Sequence, residues 1–307
     1  ALRVSGPHHN MDAACSSAYL STHHAVHALH GGECSAAVVA GVSLLLKPDS
    51  ALGLYMMGVL SPSGNMRPYD TAGDGMVWGE GCSALVLQAE APEASAYATV
   101  MASAANCNDA LSPSGFVAAD MIQQAAEDAL ALAGIAAQQL AACHPHGMGN
   151  PASDVPELTG LVAALATARD SELVLLGHKA NFGHSVCAAG LVSTMVSALA
   201  VQQQVVPAHL NVESQVKILR ETDAVLLPVG SHAFLDSAAS TLRASISGTS
   251  VSGDNVHMAM QWSQGNICYQ HSVHTTHQDL DSGTCAPVAC HLPVSLQQTG
   301  EYEAQLV

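Results

Sequence analysis

Apolar residues recur along the chain with helical spacing in some stretches and strand spacing in others, and this alternation predicts the elements. Ala18, Thr22, Ala25, Val26 and Leu29 share one face of a predicted helix that stops at Gly31-Gly32. Ala36–Leu46 is a near-continuous apolar run of strand length, read as a buried parallel or central strand. Ser61–Asn65 and Arg67–Gly75 read as irregular loop, and Ser83–Gln88 as a second buried strand. Ala89–Ala96, rich in Glu, Ala and Pro, marks a boundary between halves. Tyr97–Ala105 predicts a strand, and Phe116–Leu140 a helix whose inner face carries Ile122, Ala125, Ala129 and Leu132, with Gly134 weakening its end. Asp154–Ala166 predicts another helix with Asp154 as its N-cap, followed by a short buried strand at Leu173–Leu176. Ser185–Val201 is a helix of small residues, and Arg243–Met260 reads as two strands joined by Gly248–Asn255. Alternating strands and helices predict a layered α/β fold. Ser263–Val307 loses periodicity and reads as a linker or tail.

Composition adds limits. With 307 residues, 49% hydrophobic, the chain can bury a sizeable core. No run of transmembrane length and no signal peptide stand out, so the expected location is cytoplasmic, or an organelle lumen of reducing character. A formal charge of −17, with only 8 Lys and Arg, argues against nucleic acid or anionic membrane as partners. Nine cysteines lack metal-ligand spacing, and their odd number argues against a closed disulfide framework. Cys285 and Cys290 have no finger-like partner, and His23, His27 and His30, although spaced for a metal, fit a solvated helix face better; no metal is assigned. The chain opens on Ala1 in mid-pattern, which suggests a piece of something longer.

Chemistry concentrates in three places. Cys15 lies among small residues just before the first helix, where unpaired N–H groups and the helix dipole favour a thiolate; a buried structural cysteine is the alternative. His146 sits in a Gly-rich loop, and Lys179 and His184 follow the Leu173–Leu176 strand. In an open α/β sheet such loops gather at the carboxyl ends of strands, which makes an acyl-transfer site of Cys15, His146, Lys179 and His184.

These stretches resemble the β-ketoacyl synthase family, and within it the ketosynthases of type I polyketide synthases. Asp12–Ser17 is similar to the nucleophile motif, and His146-Gly147-Met148-Gly149-Asn150 with Asp154 and Glu157 to the first histidine motif. Lys179–His184 with Ala188-Ala189-Gly190 resembles the lysine and second-histidine motif; Arg67–Gly81 and Gly253–His257 match two further stretches. The resemblance implies a thiolase-like αβαβα fold, with residues 1–93 as the remnant of the first half, 94–262 as the second half, and most of the first half missing. It implies a decarboxylative Claisen condensation: Cys15 takes an acyl chain, and His146 and His184 stabilise the enolate formed from a malonyl-type extender. Lys179 would steady the histidine side, paired with Glu157; Asp154 and Asn181 would support; the backbone N–H groups of Cys15 and Val251 would form the oxyanion hole. No cofactor is implied, the substrates riding on the phosphopantetheine of an acyl carrier protein. Implied partners are that carrier, an acyltransferase or other synthase domains, and a second copy in a homodimer formed through the stretch around Pro7–Met11.

Several positions depart from the family pattern. Met148 and Asn150 replace small hydroxyl residues, Ser153 replaces glycine, Trp78 replaces a commonly polar residue, and Gly248–Ser252 lacks the usual Phe and Gly content. Met148 and the altered loop motivate a second reading, a non-elongating acyl-binding or acyl-transferring relative; a third, a non-catalytic structural partner, is opposed by the joint retention of Cys15, His146, Lys179 and His184. An incomplete first half is also expected to leave apolar sheet surface uncovered and the piece poorly stable and weakly active by itself.

Overall fold

A mixed sheet with helices on both faces carries the chain, as seen in a computed structural model that describes residues 4–89, 96–108, 117–235, 241–263 and 304–306. The helices are α1 (Ser17–His30), α2 (Pro48–Met56), α3 (Ala119–Leu132), α4 (Pro151–Leu165), α5 (Lys179–Phe182), α6 (Ala189–Gln203) and α7 (Lys217–Arg220). The strands are β1 (Ala36–Ser43), β2 (Gly81–Gln88), β3 (Ala98–Cys107), β4 (Ala142–His144), β5 (Leu173–Leu175), β6 (Val205–Val206), β7 (Val225–Leu226), β8 (Ala233–Phe234), β9 (Thr241–Thr249), β10 (Asp254–Ser263) and β11 (Ala304–Leu306). Nine of these form one sheet in the order β1-β2-β11-β3-β10-β9-β4-β5-β7, and β6 pairs with β8 separately.

Strand alternation sorts the core onto the two faces. Val256, Met258 and Met260 of β10 point toward α1 and α6, joining Ala18, Val26, Leu85 and Leu191. Ala259, from the same strand, joins Ile122, Leu130, Leu158 and Leu161 beneath α3 and α4 on the other face. Strands β9, β4, β5 and β7 run parallel, so the carboxyl ends of β9, β4 and β5 lie side by side. Crossovers through α4 and α6 make that parallel arrangement possible.

Several expectations change. The Ala36–Leu46 run is an edge strand, not a central one: β1 pairs only with β2 among the described residues, antiparallel, and leaves Val38 and Val42 54% and 51% exposed. Leu46 after this strand, and Leu52 and Met56 on α2, are exposed as well, so apolar surface is uncovered here. The Phe116–Leu140 helix ends at Leu132, because Gly134 takes φ +65° two residues on. Leu130 rather than Leu132 faces inward: the buried face runs through Ile122, Ala125, Ala126, Ala129 and Leu130, and Leu132 is exposed. The β9–β10 connection is shorter than Gly248–Asn255 and spans residues 250–253.

The α4 helix begins at Pro151, and its cap is Asn150, whose side chain accepts from the Ala152 N–H at 2.9 Å; Asp154 lies one turn in and is used elsewhere. Residues 4–13 are irregular, so no strand precedes Cys15 in the described residues. Ala304–Leu306 pairs between β2 and β3, so the predicted tail contributes a strand; the remainder of that tail, and residues 90–95 of the predicted boundary, lie outside the described residues. Contrary to the sequence reading, Val186–Gln203 is long and apolar enough to cross a membrane by composition (mean hydropathy 1.5), yet it packs as a core helix against α1 and β9.

Candidate active site

Each chemical group is set by the end of an element. Cys15 sits in a 3-10 turn, Ala14–Ser16, that leads directly into α1. Ala14 before it takes φ +48°, a left-handed conformation that costs a non-glycine residue about 1–3 kcal/mol. Hydrogen bonds clamp this turn onto the β9–β10 connection: Ser16 Oγ donates to the Asp254 carbonyl at 3.0 Å, and Ser252 Oγ to the Ala13 carbonyl at 3.3 Å. Val251 therefore lies beside the Cys15 turn, half-buried, in a connection held by contacts between Ser252 and both Ser250 and Asp254, each 2.6 Å.

Just after β4 comes His146, and its main chain is gripped from two sides. Glu157 of α4 accepts from the His146 and Gly147 N–H groups, the latter at 2.9 Å. Asp154 accepts from Tyr69 and Met148 N–H at 2.9 and 2.7 Å. The Lys179 ammonium, just beyond β5, donates to the His146 carbonyl. Glu157 does not pair with Lys179: the described residues show no ion pair between them, because the carboxylate is committed to the two backbone amides.

His184 is fixed by main chain on both sides, its N–H donating to Val77 at 2.7 Å and its carbonyl accepting from Gly79 at 3.0 Å. Gly79 allows that approach, since a Cβ there would sit 2.6 Å from the Phe182 carbonyl. Asp70, Asp74 and Glu80 order the surrounding loops; Asp70 accepts from Glu213 and Ser214 N–H, each at 2.6 Å.

The result is convergence. The Cys15 sulfur and ring nitrogens of His146 and His184 lie within 4.8 Å of one another, all buried. The two imidazoles are nearly perpendicular, with centroids 5.2 Å apart, and none of their four nitrogens has a hydrogen-bond partner among the described residues. Asn181, by contrast, is exposed and stands outside the buried cluster.

Burial dominates the electrostatics. It pushes the Cys15 thiol up to about 11, with Lys179 pulling it part of the way back. Placement at a helix start therefore does not yield a standing thiolate; desolvation outweighs the turn and dipole. Burial, reinforced by Lys179, holds His146 and His184 well below the usual histidine range, so both are neutral N–H donors near pH 7. Asp154 is raised to about 6 by burial, which its backbone hydrogen bonds offset in part, and Glu157 is raised as well.

Two features escaped the sequence reading. His144 donates to or accepts from Ser197 Oγ at 3.0 Å and His178 at 3.1 Å, bridging the loops that carry His146 and Lys179. Tyr19 is fully buried under Gly190 and Gly248, with its hydroxyl 2.8 Å from Ser193. Paired small residues opposite an aromatic were the available signal for the second; nothing marked the first.

The family comparisons agree with this arrangement. The N-terminal domain of β-ketoacyl synthase matches residues 1–93 and the C-terminal domain residues 97–213. A mycocerosic acid synthase-like polyketide synthase of Mycolicibacterium smegmatis is 33% identical over 266 residues, 85% of this chain and 12% of that protein. Polyketide synthase ThaG of Burkholderia thailandensis is 33% identical over 285 residues, 85% of this chain and 5% of that protein. Among solved structures, the ketosynthase from module 6 of the bacillaene synthase of Bacillus subtilis 168 superposes with TM-score 0.77 at 27% identity, covering 83% of this chain and 47% of that one. The oxazolomycin ketosynthase domain of Streptomyces albus JA3453 gives 0.77 at 29% identity, covering 84% and 47%. The chain thus spans about half the length of these solved ketosynthases (47% of each). With both halves of the family matched in order, and its nucleophile and histidine motifs folded into one buried cluster, the chain belongs to the β-ketoacyl synthase family and is of the type I polyketide synthase kind.

Proposed function

We propose that the chain carries the condensing centre of a polyketide or fatty-acid-like synthase, joining a carrier-bound malonyl-type extender to an acyl group held on Cys15. The observation that carries the proposal is the meeting of one thiol and two neutral imidazoles within 4.8 Å. In the first half-reaction the Cys15 thiol gives its proton to a neighbouring imidazole as sulfur attacks the acyl thioester. The oxyanion is held by the Cys15 and Val251 N–H groups, and the carrier thiol leaves with the proton. In the second, the bond to the extender carboxylate breaks, CO2 departs, and the electron pair becomes an enolate whose oxygen accepts from His146 and His184. The enolate carbon attacks the acyl-Cys15 carbonyl, the C–S bond breaks with its electron pair going to sulfur, the Cys15 thiolate takes a proton from solvent, and the chain gains two carbons.

Neutral imidazoles suit this role, because they donate to developing charge without giving up a proton to the enolate. Lys179, Glu157 and Asp154 act as positioning residues through the His146–Met148 main chain. The proposed partners are an acyl carrier protein bearing phosphopantetheine, other synthase domains and a second copy, and the proposed setting is a reducing compartment. Unpaired Cys15, Cys143 and Cys187 support that setting. Incubation of the chain with acyl- and malonyl-carrier proteins tests the reading by product mass. A β-ketoacyl product two carbons longer is expected. Acyl transfer without CO2 release would instead favour the non-elongating relative.

A further inference from the structure

We propose that Cys15, His146 and His184 also form a three-ligand site for a thiophilic divalent cation of zinc type, and that metal bound there shuts off acyl loading. The metal site stands on geometry alone; its inhibitory consequence rests on the proposed function. A thiol and two imidazoles make up a donor set that zinc prefers, with a fourth position left open for water or an incoming thiol. The three donor atoms lie within 4.8 Å of one another, and ligands around tetrahedral zinc stand roughly 3.5 Å apart, so side-chain rotations of about an ångström close the site. The rings are already splayed at 82°, which lets a nitrogen of each point at one ion. Among the described residues no hydrogen bond has to break, since all four ring nitrogens are buried and without a partner there.

On binding, the divalent cation displaces the Cys15 proton: the S–H bond breaks, the proton goes to solvent, and the sulfur lone pair forms the metal bond. That lone pair is then lost to an acyl carbonyl. His23 and His27, with rings 4.3 Å apart on α1, are a second place for metal, but they offer no sulfur.

Cobalt(II) titration of the whole chain separates the two. One equivalent is expected to give a thiolate-to-cobalt charge-transfer band that zinc displaces. Cys15→Ser removes the band, and His184→Gln weakens binding at least roughly tenfold, the loss that even outer partners of a metal site produce. Because either variant could fold poorly, protection of Cys15 from iodoacetamide by zinc is also measured in the unmodified chain by peptide mass, with reversal by EDTA expected. No band, a band retained by Cys15→Ser, or unchanged alkylation under zinc overturns the proposal. Acyl loading in a metal-free chain that shows no cobalt band removes the metal site and spares the ketosynthase reading. Zinc protection in a chain that never loads acyl groups supports the metal site and removes the other.

Discussion

Glu157→Ala is the substitution whose cost can be worked out most fully. The carboxylate accepts from two buried N–H groups, those of His146 and Gly147. Truncation orphans both donors, at about 1–3 kcal/mol each, so the loss is about 2–6 kcal/mol, a large part of a domain's usual 5–15 kcal/mol. It also leaves Asp154 alone to offset the buried Lys179 charge. Glu157→Gln should lose about half as much, since one amide oxygen still accepts while the new NH2 faces an N–H. Urea unfolding followed by tryptophan fluorescence measures the series, with Gln falling between wild type and Ala. Surviving Glu157→Gln protein should load acyl groups on Cys15 but release CO2 more slowly, because only the His146 side is disturbed. Equal stability of wild type and Glu157→Ala would refute the reasoning, as would a Gln variant with normal decarboxylation and impaired loading.

Other outcomes follow from the same structure. Iodoacetamide should alkylate Cys15 slowly at pH 7 and faster through pH 9 and above, because the buried thiol is raised to about 11; a plateau below pH 8 would contradict this. Stability should rise as pH climbs to about 6.5. His209 and His257 are lowered by burial to about 4 and about 3, and His144, His146, His178 and His184 are lowered further still, so the unfolded state binds more protons in that window. Asp154, raised to about 6, opposes this between pH 3.8 and 6, and a flat melting profile would mean the carboxylates win. Gly190→Ala should lower stability by about 1–3 kcal/mol in thermal melts, since its Cβ would meet the Tyr19 backbone N at 2.7 Å and the ring at 2.8 Å; an unchanged melting temperature would show that Tyr19 can move.

Much of this was legible in the sequence, for identifiable reasons. Ala18, Thr22, Val26 and Leu29 follow helical spacing because α1 buries one face, and that same regularity places Cys15 at its start. Gathering of the Cys15, His146, Lys179 and His184 stretches followed from motif order and from where parallel strands end. What was missed depends on tertiary neighbours. The apolar run of β1 looks central because its sequence records hydrophobicity, whereas its place at an edge depends on strand pairing. Asp154 resembles a cap locally, but Asn150 stands first, and the carboxylate is drawn to the Tyr69 and Met148 amides across the site. Helix-start reasoning favoured a thiolate at Cys15, yet burial, which no local pattern reports, sets the proton's place. The His144–His178 bridge joins residues 34 apart in the chain and leaves no trace in spacing.

Division of labour between the sulfur and the two imidazoles is tested most directly by following CO2 from carboxyl-labelled malonyl carrier protein alongside the intact mass of the chain. Cys15→Ala should carry no acyl adduct yet still release CO2, because both N–H donors remain. The double variant His146→Ala/His184→Ala should acquire the acyl mass, though slowly, and release no CO2. Label appearing as CO2 from the double variant would contradict the central claim.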